Sequence, residues 1–351
     1  MNLLLLLTLG LATQLLIIDL DDVLLEERIA VRALRPNLTD FDHDTSGHII
    51  SADLRGFVGR VDNSAVSQLI RFSKLQRLWL FHCDIDDRGL KQICDGCPEL
   101  THLYLYELPI TDDGISALRS LTQLRRLEVL LIPLTDQSAD EIAKLSILRQ
   151  LTLSDTKIGD DGFVKLKSLN HLRQLHLSSS KITDKAIAEF HTLNELRVIG
   201  LTGTTVDGSG FEPLVGLEHL QTIYLIQSKI TDDGLAFISE LPALRRLELD
   251  ATAVGDEGAA HLSKSQSLEK LSMWDTRITD VGARHLSKIQ SLRNLSLGRT
   301  NVSDEGLVAL AQLPHVEKLD IRYTRATRAG IGELRKQLIN TKIEFAFETK
   351  P

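Results

Sequence analysis

A leucine recurs every 24 residues through most of this chain, and this spacing constrains the fold more than any other feature. Leu75 comes first, one residue out of step, and Val316 opens the last block. An internal repeat of about 20–50 residues is typical of an architecture that grows by stacking similar units. We therefore expect one elongated repeat domain in place of two or three globular ones. The blocks between these two open at Leu100, Leu124, Leu148, Leu172, Leu196, Leu220, Leu244, Leu268 and Leu292.

Each block follows one template of strand, turn and helix. In the block that opens at Leu220, apolar residues first follow the spacing of a short strand, and from Leu235 onward they follow one face of a helix. Stacking such units predicts an α/β solenoid, with a parallel β-sheet on its concave face and helices on its convex face. The eleven blocks, a degenerate unit near Leu54 and a half-unit at Ile343 together predict 13 strands.

The sequence divides into four expected segments. Ahead of the repeats, it predicts a helix over 14–35, ended by Pro36, and a hairpin turn within Asp44–Gly47. The four expected segments are 1–36, a hydrophobic segment and helix; 37–74, a hairpin and degenerate first repeat; 75–339, eleven repeats; and 340–351, a C-terminal half-repeat cap.

The N-terminal segment Leu3–Ile18 is almost entirely apolar. It is slightly shorter than the ~20 residues that a membrane-spanning helix needs. Met1 and Asn2 supply none of the positive charge that precedes a signal peptide. A membrane anchor, an export signal and a buried cap helix all stay open. We expect a membrane-anchored or exported protein with a possible tether through residues 3–18, and a cytoplasmic protein is the alternative.

Composition narrows the function classes. The net charge of −8 and the pI of about 5.8 argue against a nucleic-acid partner. The three cysteines, Cys83, Cys94 and Cys97, are too few for a disulfide framework. Among the histidines and acids, no catalytic triad order, phosphate loop or carboxylate pair stands apart from the repeat. We expect no enzyme, no cofactor and no metal, and the sequence leaves the oligomeric state open.

Two polar columns recur with the same spacing. From Thr156 onward, Thr or Ser stands nine residues into every block, where a hydroxyl can satisfy backbone groups at the end of a strand. An aspartate column, which includes Asp160, Asp207 and Asp256, stands at the start of each predicted helix. We interpret these carboxylates as helix caps, each contributing about 1 kcal/mol, and not as calcium ligands.

The block Leu268–Gly282 carries a pattern that resembles the leucine-rich repeat family. Cys83 and the run Cys97–Leu100 resemble more narrowly the cysteine-containing subclass, known from F-box proteins and similar to ribonuclease-inhibitor-like repeats. The 24-residue unit is similar to that of multi-repeat prokaryotic members. The resemblance covers about residues 49–347. It implies a curved solenoid that binds proteins on its concave face, and it implies no catalytic residue.

The large aromatic residues favour one side of the predicted sheet. Both tryptophans and three of the four tyrosines fall at strand positions that point away from the core. Trp and Tyr are enriched at binding hot spots, although large rings also favour strands in general. We expect a dense N-terminal patch, a second patch nearer the C-terminus and a basic rim. The candidate partner-binding residues are Trp79, Phe81, Tyr104, Tyr106, Leu130, Arg77, Arg126, Tyr224, Ile226, Arg246 and Trp274.

Two further motifs have structural alternatives. The segment with Asp42, Asp44, Ser46 and Asp53 resembles an EF-hand calcium loop, but a hairpin turn explains the same residues and is the favoured interpretation. Cys94-Asp-Gly-Cys97 lacks the further ligands that zinc needs and is interpreted as buried structure.

These patterns together predict a non-catalytic scaffold that binds a protein on its concave face. The alternative is a substrate-recognition adaptor of a ubiquitin-ligase-like or signalling complex, although no F-box-like segment precedes the repeats. An enzyme is the least expected reading, because an even solenoid rarely holds a deep pocket.

Overall fold

The computed structural model describes residues 22–56 and 61–347, so the apolar segment 3–18 lies outside the described residues. Its strands form a single 14-stranded sheet in which sequence neighbours are also spatial neighbours. The strands are β1 (Leu38–His43), β2 (Ile49–Arg55), β3 (Arg77–Phe81), β4 (His102–Tyr106), β5 (Arg126–Leu130), β6 (Gln150–Ser154), β7 (Gln174–His176), β8 (Val198–Gly200), β9 (Thr222–Tyr224), β10 (Arg246–Glu248), β11 (Lys270–Ser272), β12 (Asn294–Ser296), β13 (Lys318–Asp320) and β14 (Lys342–Glu344).

The sheet is parallel except at its N-terminal edge. β1 pairs antiparallel with β2 as a hairpin, and every later pair is parallel and in register with its repeat, as in the pairing of Leu247 with Leu271. Strands β2 to β14 are therefore the 13 strands that the spacing predicts. Parallel neighbours need crossover connections, and the helical segment of each repeat supplies them.

The helices pack side by side on one face of the sheet. Twelve α-helices lie within the described residues, together with 3₁₀ segments at Ser116–Ser120, Val164–Ser168, Ala188–Thr192 and Ser209–Gly216. The α-helices are α1 (Leu25–Leu34), α2 (Asn63–Leu69), α3 (Asp87–Gly96), α4 (Asp112–Ile115), α5 (Asp136–Ile142), α6 (Asp160–Phe163), α7 (Asp184–Ile187), α8 (Gly234–Ser239), α9 (Asp256–Leu262), α10 (Asp280–Leu286), α11 (Asp304–Leu310) and α12 (Arg328–Gln337).

Helix α1 covers the hairpin end of the sheet. It begins at Leu25, so the part of the predicted helix over residues 22–24 is wrong, and residues 14–21 lie outside the described ranges. The buried Glu27 joins α1 to β2, because its carboxylate accepts a hydrogen bond from the Ile49 N–H at 2.5 Å. Leu24 N–H also donates to the Gly47 carbonyl at 2.9 Å.

The repeat leucines form one continuous core between the sheet and the helices. Leu220, Leu244 and Leu268 are at most 1% exposed, as are Phe163 and Phe211 on the helical side. A side chain of this size stabilises the fold by about 1.5–3 kcal/mol when it is fully buried. Because each unit covers the apolar edges of its neighbours, the core has no boundary that would divide the described repeats into separate domains.

The aspartate column stabilises helix starts, but in the following repeat and not locally as predicted. Asp256 Oδ1 accepts from the N–H groups of Thr279 and Gly282, at 2.8 and 2.9 Å, and Oδ2 accepts from the Thr279 hydroxyl at 2.6 Å. A Cβ on Gly282 would lie 2.4 Å from Asp256 Oδ1, which explains the glycine two residues after most of these aspartates; Ser138 and Ala186 are exceptions. Asp207 differs, because its carboxylate accepts from Ser209 in its own turn. The aspartates that bond the next repeat are Asp87, Asp112, Asp136, Asp160, Asp184, Asp232, Asp256, Asp280 and Asp304.

The hydroxyl column bonds locally, which is one of the two options its position suggested. Thr300 Oγ1 donates to the Leu297 carbonyl three residues earlier at 2.6 Å, and Thr252 donates to Leu249 in the same way. Thr156, the first hydroxyl of the column, is buried and has no hydrogen-bond partner among the described residues. The later threonines therefore satisfy a carbonyl where the strand ends, whereas Ser180 and Ser228 accept from the N–H two residues further on.

Candidate protein-binding surface

Two aromatic stacks occupy the N-terminal part of the open sheet face, which is the face turned away from the helices. The rings of Trp79 and Tyr104 lie parallel, with centroids 4.6 Å apart and planes 9° apart. Phe81 and Tyr106 stack beside them, with centroids 4.3 Å apart. These contacts follow from the register, which pairs β3 with β4 residue for residue. We call Trp79, Phe81, Tyr104, Tyr106 and Leu130 the aromatic patch.

The members of the aromatic patch differ in exposure. Trp79, Phe81, Tyr106 and Leu130 are partly exposed. Tyr104 is only 7% exposed, so little of its ring is available for direct contact with a partner. Its ring is covered by Trp79 on one side and by the Arg126 guanidinium, 5.1 Å from the ring centroid, on the other. Tyr104 is therefore the support beneath the exposed rings.

An ion pair between Arg126 and Glu128 holds the Tyr106 side chain in place at the edge of the aromatic patch. Tyr106 donates its hydroxyl hydrogen to Glu128 Oε2 at 3.2 Å, and Arg126 Nε donates to Glu128 Oε1 at 2.8 Å. Burial raises the pKa of the Tyr106 phenol, and the Glu128 carboxylate raises this pKa further. The phenol therefore stays a neutral donor, and the rings are held in one arrangement before any partner binds.

The predicted second patch is divided in two. Tyr224 and Ile226 lie on β9 and the turn after it, whereas Trp274 lies two repeats later and contacts residues of the repeats that follow it. The Trp274 ring covers Gly298, where a Cβ would lie 2.0 Å from the ring, and contacts Tyr323 edge-on. The structure therefore does not bring Trp274 together with Tyr224.

The expected basic rim is largely neutralised. Arg246 pairs with Glu248 on its own strand and lies 5.3 Å from the Tyr224 ring centroid. Arg126 likewise pairs with Glu128, and Arg77 pairs with Asp42 at 2.8 Å. Arg126 and Arg246 are each followed two residues later by a glutamate on the same face of the strand, whereas Arg77 finds its carboxylate on strand β1.

Positive charge that is mostly unpaired lies one position earlier in the repeat, in a column that is not among the predicted binding residues. Arg125, Arg149, Arg173 and Arg197 stand second in four successive blocks and line one depression of about 390 Å³ where β4–β8 begin. Each guanidinium sits beside the next because the repeat is regular. The signal was present in the sequence as an unbroken run of arginine at one repeat position.

The candidate calcium residues form the hairpin. Asp44 Oδ1 accepts from the N–H groups of Ser46 and His48, at 2.8 and 3.0 Å, which is a side-chain-stabilised turn. Asp53 binds Arg55, and Asp42 binds Arg77. Within residues 22–56 and 61–347, no group of three or more His, Cys, Asp or Glu side chains is placed to hold a metal ion. The favoured hairpin interpretation describes this segment.

The cysteines are free and buried. Burial raises the pKa of the Cys94 and Cys97 thiols to about 12, which leaves them protonated and unreactive at neutral pH. This agrees with a structural role for the pair. In the part of the chain that the structure describes, no helix is long and apolar enough to cross a membrane.

Comparison with known proteins decides the family. A model described as "Leucine-rich repeat region" matches residues 58–335, most of the chain. This chain belongs to the leucine-rich repeat family. Among solved structures, this leucine-rich repeat protein is similar to an internalin from Listeria monocytogenes, with a TM-score of 0.59. Their identity is 19%, over 93% of this chain and 95% of the internalin, so the likeness concerns the fold. No curated protein matches significantly.

Proposed function

We propose that this leucine-rich repeat protein is a non-catalytic scaffold that binds a protein partner at the aromatic patch. The observation that carries the proposal is the pair of ring stacks, Trp79 on Tyr104 and Phe81 on Tyr106, side by side on the open sheet face. Rings that are already fixed lose little conformational entropy when a partner covers them. Trp and Tyr also dominate binding hot spots. The family and the internalin-like fold support a scaffold.

The competing explanation is that the rings merely cover the sheet. It predicts that removing one exposed ring affects stability alone, whereas a binding role predicts a loss of affinity in a folded protein. Trp79 discriminates between the two, because its outer face is partly exposed and its inner face lies on Tyr104.

The experiment is affinity capture with purified wild-type protein, quantitative mass spectrometry of the bound proteins and a titration of the enriched partner. Trp79→Ala should weaken that partner by about 1 kcal/mol or more, roughly fivefold, with an unchanged circular dichroism spectrum. Val308→Ala, on the helical face and 64% exposed at Val308, is the control and should bind as the wild type. Equal capture by all three proteins would overturn the proposal.

Two finer assignments belong to the same proposal. The repeats are of the cysteine-containing type in a 24-residue form, and this is supported by the burial of Cys83, whose thiol donates towards the Phe81 carbonyl at 3.4 Å. Later repeats hold Thr at this position, so Cys83→Thr should keep the melting temperature close to that of the wild type, and a large drop would contradict the assignment.

An adaptor role would need a second interaction module, and deletion of residues 1–50 without loss of complex assembly would argue against it.

The apolar character of residues 3–18 supports a protein that is anchored in a membrane or exported across it. We propose that this apolar segment anchors or exports the solenoid. Fractionation of cells that express the chain with and without residues 1–20 tests this. Recovery of both forms in the same soluble fraction would contradict it.

A further inference from the structure

The depression lined by the second-position arginines is the most strongly charged surface that the aromatic patch does not account for. It is formed by Arg125, Arg149, Arg173 and Arg197, and we call these four the arginine row. His102, Arg126, Gln150 and Gln174 complete its lining. The guanidinium groups come from four consecutive repeats, so the strand spacing of about 4.8 Å places the first and last about 14 Å apart.

Most of this charge has no carboxylate partner among residues 22–56 and 61–347. Of the arginine row, Arg173 binds a carboxylate, that of Glu195 at 3.0 Å, and the other three form no ion pair with any described residue. Later in the same column the arginines are neutralised by the next repeat. Arg245 binds Glu269 at 2.7 Å, and Arg293 binds Glu317 at 2.6 Å.

One cation of the row also acts on a neighbouring side chain. Burial lowers the pKa of His102, and the charges of Arg126, Arg77 and Arg125 lower this pKa further. Of these three arginines, Arg126 and Arg77 are paired with carboxylates, so Arg125 is the one that offers unpaired positive charge at the start of β4. An anion placed there would be attracted by Arg125.

We propose that the arginine row binds an acidic, extended segment of the protein partner, which carries carboxylates at alternate positions. This inference rests on the proposed scaffold function and names the chemistry of the partner. Alternate side chains of an extended peptide lie about 6.8 Å apart, so three carboxylates at i, i+2 and i+4 span about 14 Å, the length of the row. Arginine binds carboxylates through two parallel hydrogen bonds, which favours it over lysine for such a surface.

The remaining lining suits a peptide better than a long polyanion. Gln150 and Gln174 stand between the arginines and offer amide groups that can bond a peptide backbone. The run ends at Gln221, and the whole chain carries a net charge of −8, which would repel a polyanion that extended past the row. The row also adjoins the aromatic patch, because Arg126 lies over Tyr104. One partner segment can therefore reach both surfaces.

The test uses a fluorescein-labelled peptide of about seven residues that alternates Asp and Ala, and its Asn–Ala counterpart as the uncharged control. Fluorescence anisotropy with the full chain should show binding of the Asp peptide alone, and the binding should weaken steeply with added salt. Arg149→Gln with Arg197→Gln should weaken it by about tenfold or more. Arg245→Gln with Arg293→Gln removes as much charge from the same column and should change it by less than about twofold.

A gain of binding provides the reverse test. Glu269→Gln with Glu317→Gln frees Arg245 and Arg293, and it should add a second, weaker site for the Asp peptide. Equal losses from the two arginine pairs, or no binding of the Asp peptide, would overturn the proposal. A sulfated oligosaccharide or a short oligonucleotide that bound more tightly with the same arginine dependence would also overturn it.

The Trp79→Ala variant separates this proposal from the scaffold proposal. It should keep its affinity for the Asp peptide while it loses the partner. If the peptide fails to bind but Trp79→Ala still loses the partner, the arginine row is excluded and the scaffold function stands.

Discussion

The strands of the early repeats are longer than the strands of the late repeats. In the early repeats, which open at Leu75, Leu100, Leu124 and Leu148, the strands β3–β6 are five residues long. In the late repeats, which open at Leu220, Leu244, Leu268, Leu292 and Val316, the strands β9–β13 are three residues long.

The ninth residue of each repeat explains this difference. Early repeats hold Cys83, Leu108 and Ile132 there, and none of these is a strong donor. The late threonines Thr252 and Thr300 donate to the carbonyl three residues back. The five-residue strands therefore lie in repeats where no hydroxyl donates to this carbonyl, and the strands are three residues long where a threonine does; β9 is also short, although Ser228 accepts from the Ile230 N–H. The longer early strands hold their outward residues in register, which aligns the two ring stacks.

The largest effect should distinguish one aspartate of each region, because the two accept different numbers of hydrogen bonds. Asp256, in a late repeat, accepts three hydrogen bonds from the next repeat, whereas the early Asp160 accepts two, from the Thr183 N–H and hydroxyl. Asp256→Ala should lower the free energy of unfolding by about 3 kcal/mol and Asp160→Ala by about 2 kcal/mol. Urea unfolding followed by circular dichroism measures both. Equal losses would show that the third bond, to Gly282, contributes nothing.

A smaller effect on stability should distinguish the hydroxyls of Thr300 and Thr156, which stand at the same repeat position. Thr300→Val removes the donor to the buried Leu297 carbonyl and should destabilise the protein by about 1–2 kcal/mol. Thr156→Val removes a buried hydroxyl without a partner among the described residues, so it should be neutral or stabilising. Thermal unfolding of the two variants compares them at nearly constant side-chain volume. A larger loss at Thr156 would contradict the account of strand length.

The smallest effect should come from His102, whose pKa lies below its ordinary value of 6.5 in the folded protein. The folded state therefore binds this proton less readily than the unfolded state. The resulting stability is fully present above pH 6.5 and is lost as the pH falls through the lowered pKa. Stability should fall more between about pH 7 and about pH 5 in the wild type than in His102→Gln. Added salt should raise the His102 pKa measured by NMR, because it screens Arg126 and Arg125. A pKa that is independent of salt would assign the whole shift to burial.

The fold was predictable because its information is periodic. Leu220 and its counterparts give both the unit length and the buried face, and a template that recurs in successive blocks is averaged over many copies. The N-terminal helix has no second copy, and its predicted start was wrong over residues 22–24, where the described chain enters α1 only at Leu25.

The sequence predicted where the aromatic patch lies, but it did not predict which of its side chains contact one another. Strand alternation placed Trp79 and Tyr104 on the open face, but only the register shows that one ring covers the other. Neutralisation of Arg126 by Glu128 could have been inferred, since residues two apart on a strand share a face. The arginine row was not predicted, because its run at the second repeat position becomes distinctive only when the structure shows which of these arginines lack a carboxylate beside them.

The aspartate bridges also give the solenoid a direction. Each bridging carboxylate serves the helix after its own, so Asp280 completes the start of the helix Asp304–Leu310 through the N–H groups of Ser303 and Gly306. Trimming repeats from the C-terminal end leaves the last aspartate facing water, which solvates it well. Trimming from the N-terminal end at such a bridge instead strips the first remaining helix of its acceptor. A chain synthesised from its N-terminus thus presents most new helices with a finished docking point, and assembly can proceed in the order of translation.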